Sequence, residues 1–84
     1  MKNLNSKKAR QELSNLFSSI QTLGWEMDDY IAKAHSNVDS PDKYYEGFNR
    51  AQADRNQLII EMVEVFGIHN SEYEGIKRDQ EAGH

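Results

Sequence analysis

Glu26-x-x-Asp29 and Glu61-x-x-Glu64 are the side chains of this sequence best spaced for chemistry. Carboxylates three residues apart share one face of a helix, and a helical protein can hold a hard divalent cation between such pairs. The three histidines, His35, His69 and His84, are scattered, with no H-x-x-x-H pair to grip a metal from one helix. Cysteine is absent, so there is neither a thiolate site nor a disulfide. Gly24, Gly47, Gly67, Gly75 and Gly83 stand singly, which leaves no glycine-rich loop to cradle phosphate, and no serine or lysine has an evident activating base. Apart from the two carboxylate pairs, no residues are available for catalysis, a metal or a cofactor.

E-x-x-D followed by E-x-x-E resembles the carboxylate pairs of MazG-type all-α nucleotide pyrophosphohydrolases, over eight positions and in reversed order. The resemblance implies magnesium-dependent nucleotide hydrolysis that Glu61→Gln abolishes. The elements that must carry the pairs argue the other way. In a hairpin of the two helical segments below, Glu61 stands level with about residue 17, leaving the pairs roughly 14 Å out of level. Magnesium takes ligands at ~2 Å from one ion. Acids on solvated helix faces are the simpler account, and the chain is read as non-enzymatic, with no cofactor and no metal.

Those elements follow from apolar spacing. From Ser6, an N-cap residue type, to about Ser36 the positions Ala9, Leu13, Leu16, Ile20, Leu23, Met27, Tyr30 and Ala34 alternate spacings of four and three, placing them on one helix stripe. Phe17, Gly24 and Ile31 recur on its flank, and Gly24 invites close approach of a partner helix. Asn37-Val38-Asp39-Ser40-Pro41 breaks the pattern, with Ser40 as expected cap and Pro41 as expected first helical residue. A second seam, Tyr44, Phe48, Ala51, Arg55, Leu58, Met62 and Val65, runs to Phe66, where Gly67 supplies a left-handed end. The Tyr44, Tyr45 and Phe48 cluster reads as packing at the helix start. Ser71-Glu72-Tyr73-Glu74 matches a capping box that opens a short third helix over about residues 72–80, docked back through Tyr73 and Ile76. Residues 81–84 read as a ragged tail.

The expected architecture is thus all-α: an antiparallel helical hairpin of two long helices, about 6–36 and 41–66, plus the short C-terminal helix. At 84 residues it is a single domain, with Leu, Ile, Val and Phe amounting to about 20% of the chain, so the core must be economical. Between Leu58 and Phe66 seven of nine residues are apolar, more circumference than one antiparallel neighbour covers. A second chain completing a four-helix bundle through Phe17, Ile31, Ile59, Val63 and Phe66 is the expected solution, a homodimer being the simplest closed form and a foreign partner on the same face the alternative.

Arg55 interrupts the second seam level with Thr22 to Glu26. Two readings stand: a register-setting pair with Glu26, or a side chain that snorkels to solvent over Leu23. Trp25, amid Glu26, Asp28 and Asp29, has the composition of an interface anchor with a charged rim; alternatively the third helix covers it or it joins a dimer core.

The net charge is −4, but Lys2, Lys7, Lys8 and Arg10 crowd the first ten positions, a poor start for a helix whose N-terminus is already positive. Residues 11–76 carry twelve acids against four bases. Such a body disfavours nucleic acid, which is bound by neutralising phosphates. No apolar run of about 18 residues and no apolar leader follow Met1, which excludes a membrane span and points to the cytoplasm, or a host's cytoplasm for a phage-encoded protein.

The hairpin turning at Asp39-Ser40-Pro41-Asp42, with Tyr44-Tyr45 just beyond, is similar to type III secretion needle subunits and their helical-hairpin chaperones. The resemblance implies a polymer or an obligate heterodimer; Ser71 to His84 extends beyond the needle pattern. Read from the residues alone, the chain is a small acidic protein-binding module, such as an anti-CRISPR-like phage- or plasmid-type inhibitor or a helical adaptor. Trp25, Glu26, Asp28, Asp29, Glu61 and Glu64 are its expected partner-binding residues, joined by Asp54 on an acidic surface able to compete for a basic channel.

Overall fold

A computed structural model of the chain describes residues 3–37 and 39–83. Lys2 of the basic start, Val38 of the turn and His84 of the tail lie outside the described residues. Among the described residues three helices follow one another, α1 (Lys7–Ser36), α2 (Asp42–Phe66) and α3 (Tyr73–Ala82). α1 and α2 form the expected hairpin, and α3 packs against α2. The extents are 52 × 29 × 16 Å, and the radius of gyration of 15.3 Å exceeds the ~12 Å of a globule of this length, so the hairpin is elongated.

Each helix end has a local cause. The Ala9 backbone N–H donates to Ser6 Oγ at 2.9 Å, the expected cap of α1. The unfavourable cationic start is tied down by Arg10 Nη1, which donates to the carbonyl oxygens of Leu4 (3.1 Å) and Asn5 (2.9 Å), while Leu4 packs on the core. At the turn the expectation needs correcting. Ser40 caps nothing, and Pro41 is itself the N-cap of α2, its carbonyl accepting from Tyr44 and Tyr45 N–H. Proline lacks the donor that position would otherwise leave unsatisfied. Gly67 ends α2 at φ 69°, its N–H donating to Val63 O at 3.0 Å. The capping box at Ser71 does not form. Asn70 Oδ1 accepts instead from Glu72 N–H at 2.7 Å, and α3 runs on through Glu81 and Ala82, which the sequence reading leaves in the tail.

The two seams meet as their spacing requires. Ala9, Leu16 and Ala34 of α1 and Ala51 and Met62 of α2 are buried, and Leu13, Ile20, Leu23, Met27, Tyr30, Tyr44, Phe48, Leu58 and Val65 are half-buried. Near the turn the helices touch over Gly47, where a Cβ would lie 2.6 Å from Tyr30 Cζ and 2.8 Å from Cδ1. The close approach that the sequence assigned to Gly24 thus belongs within the hairpin to Gly47; a Cβ on Gly24 would meet only Arg55 Nε, at an ordinary 3.7 Å.

The apolar face over Leu58 to Phe66, expected to demand a second chain, is covered in large part by the chain itself, with Leu58, Val63 and Val65 left half-buried. Ile59 is fully buried, and Ile60, Met62 and Phe66 are buried. Ile76 and Tyr73 of α3 pack over Ile59 and Ile60, while Leu4 and Ile68 pack around Leu16, Met62 and Phe66. Of the residues expected at a dimer interface, Ile59 and Phe66 are therefore core of the single chain. Val63 and Ile31 are half-buried, and Phe17 alone is exposed.

Candidate functional site

Phe17, at 47% exposure, and Trp25, at 62%, are the most exposed large apolar side chains among the described residues. They stand eight residues apart, a little over two turns of α1, and so project from neighbouring lines of one flank. Both line an open groove of about 450 Å³ whose walls include Gln21, Gly24 and Asp28 of α1 and Phe48 and Arg55 of α2. Gly24, which has no side chain, lies along α1 between Phe17 and Asp28 on this wall, and a Cβ there would meet Arg55 Nε of α2 at 3.7 Å. The alternative in which α3 covers Trp25 fails, because Tyr73 and Ile76 are spent on α2 and Trp25 stays exposed.

Arg55 forms one wall. Its stem passes Gly24, and its guanidinium grips Glu72 with both ends, Nη1 to Oε2 at 2.7 Å and Nη2 to Oε1 at 3.1 Å. The register pair with Glu26 is thus corrected: the acid that claims Arg55 enters from the loop before α3, which sequence spacing along the hairpin could not place. A bidentate fork to a carboxylate is the stronger geometry. It holds the Glu72 carboxyl below its ordinary pKa and raises that of Arg55. The same loop's helix is fastened again by Tyr73 Oη, which donates to Glu64 Oε2 at 2.5 Å, with Lys77 Nζ 3.5 Å from the same oxygen. The carboxylate pushes the Tyr73 phenol up to about 12, and the phenol's hydrogen bond, helped by Lys77, lowers Glu64.

The six acids and aromatics expected to bind a partner are consequently not one surface. Trp25 and Asp28 line the groove. Glu26 is exposed beside them, and Asp29 pairs with Lys33 at 2.9 Å along α1. Glu61 belongs to a separate, polar concavity of about 310 Å³ with Glu12, Asn15, Leu16, Ser19 and Phe66. Glu64 is engaged with α3. The carboxylates of the two E-x-x-[DE] pairs are not brought together, and among the described residues no three His, Asp or Glu side chains converge as metal ligands. No helix among the described residues is long and apolar enough to cross a membrane.

Gln21, Phe48 and Arg55 were not singled out as groove residues from the sequence, although Phe17, Gln21, Gly24 and Asp28 alternate spacings of four and three just as the core seam does. No family model, curated protein or solved structure matches the chain.

Proposed function

We propose that the chain is a non-enzymatic protein-binding module whose contact surface is the outer flank of α1, centred on Phe17 and Trp25. The observation that carries this reading is the exposure of both aromatics on one groove, in a fold that buries most of the apolar face of α2 within itself. Exposed aromatics beside a charged rim form the usual centre of a protein interface, because a large apolar ring gains most from losing water while the surrounding charges select the partner. A small acidic inhibitor or helical adaptor uses a surface of this kind.

The test is site-directed photo-crosslinking in the protein's native cells. The aromatic photoreactive residue p-benzoylphenylalanine at position 25, which keeps a large apolar ring there, is expected to give a defined protein adduct, which the same residue at Gln80 on α3 does not give. Excess unlabelled protein should compete the adduct away, and excess Trp25→Ala protein should not. Equal adducts from both positions, or none from position 25, would overturn the reading.

A further inference from the structure

The groove-lining stripe of α1 extends further than its aromatics. Arg10, Ser14, Phe17, Gln21, Gly24 and Asp28 follow one another at spacings of four, three, four, three and four, a second seam beside the one that packs on α2. All are exposed except Gly24, which is half-buried. The seam is complementary to itself when reversed. Turned end for end, Arg10 falls opposite Asp28, Ser14 opposite Gly24, and Phe17 opposite Gln21. An antiparallel helix pair about a twofold axis makes such matches, each occurring twice.

We infer that the partner of this surface is a second copy of the chain, docked α1 against α1 in antiparallel register with Arg10 of each copy on Asp28 of the other. This deepens the protein-binding reading and rests on it. Charge complementarity sets the register. The Asp28 carboxylate has no ion pair or hydrogen bond among the described residues. Arg10 uses Nη1 on the Leu4 and Asn5 carbonyls, which fixes the guanidinium while leaving Nε and Nη2 to donate elsewhere. The opposite register, with parallel helices, would set Arg10 on Arg10 and Asp28 on Asp28. Ser14 against Gly24 places the smallest side chains of the seam face to face, so the helix axes approach closely on both sides of the two central Phe17–Gln21 matches.

Area is compatible with a concentration-dependent dimer. Phe17, at 47% exposure, and Trp25, at 62%, leave roughly 250 Å² of residue surface open per copy, so full burial of both in a dimer covers ~500 Å², about half of the ~1,000 Å² that a specific interface must exceed. The rest of the seam, which rises about 27 Å along α1, and the exposed edge of Phe48 supply the remainder.

The experiment is solution mass by light-scattering chromatography near 100 µM (about 1 mg/ml), on the full chain and on Arg10→Asp and Asp28→Arg, with helicity checked by circular dichroism. The full chain is expected at about twice its 9.7 kDa. Each variant alone places like charges at both ends of the seam and should dimerise at least tenfold more weakly. An equimolar mixture of the two variants restores both opposite-charge contacts and should regain the dimer mass. Because that rescue requires both variants to be folded, it cannot be mimicked by damage to the helix. A single-chain mass for the wild type, an undiminished dimer for either variant, or a mixture of helical variants that stays monomeric would overturn the inference. In each case the crosslink from position 25 to a different protein would still report on the broader reading separately.

Discussion

Replacing Gly47 by alanine sets two effects of known sign against each other. In a helix interior alanine is favoured over glycine by about 1 kcal/mol. Here, however, the new Cβ would stand 2.6 Å from Tyr30 Cζ and 2.8 Å from Cδ1, well inside van der Waals contact. Tyr30 is half-buried on the seam, so its ring can escape only by giving up packing, and overpacking of this kind costs typically 1–3 kcal/mol. The net expectation is a destabilisation of up to about 2 kcal/mol, at about 4–8 °C of melting temperature per kcal/mol for a chain of this size. The decisive measurement is a double-mutant cycle with Tyr30→Ala, by urea denaturation at one fixed low protein concentration. With the ring gone, Gly47→Ala should change sign and stabilise by about 1 kcal/mol. Gly24→Ala in the isolated chain should stabilise by a similar ~1 kcal/mol without any such cycle, since its Cβ meets Arg55 Nε at an ordinary 3.7 Å. A Gly47→Ala effect identical in the two backgrounds would refute the placement of Tyr30 on Gly47, and with it the register of the hairpin near its turn.

The docking of α3 should depend on pH in both directions. Glu64 and Glu72 have lowered folded-state pKa values, so their contribution is present above the ordinary carboxylate pKa of ~4.3 and is lost as pH falls through the lowered values. Tyr73 is raised to about 12, so its contribution is complete below the ordinary value of 10 and is lost as pH rises towards 12. The Tyr73 ring, followed by NMR or ultraviolet absorbance, should therefore report release of α3 at both extremes before the helical circular dichroism of the whole chain is lost; simultaneous loss of both signals would contradict this fastening. Glu72→Gln removes the acceptor charge from the Arg55 fork and should destabilise by up to about 1 kcal/mol, the range of partly exposed pairs, with the change in amide hydrogen exchange confined to the loop and α3. Ile59→Ala, at the one fully buried large side chain among the described residues, should cost about 2–5 kcal/mol in chemical denaturation, whereas a value under about 1 kcal/mol would mean that α3 does not seal that face.

Much of the backbone was legible in the sequence because it follows from one-dimensional rules. Alternating spacings of three and four force a stripe, Ser6 and Gly67 mark ends by supplying an acceptor and a left-handed residue, and a proline-containing break makes the long helices antiparallel neighbours. Tertiary structure decided what those rules do not contain. Whether Leu58 to Phe66 needs a second chain depends on where ten residues of α3 come to rest, and they rest on that face. Which acid meets Arg55 depends on a loop returning alongside the hairpin, so Glu72, 17 residues further along the chain, displaces Glu26. Which glycine admits a neighbouring helix depends on which one lies under a tyrosine. The expected binding residues are dispersed for the same reason. Their types and spacing are properties of a chain, but a surface is a property of the packed helices, and only packing leaves Phe17 and Trp25 on the outside with Asp28 beside them.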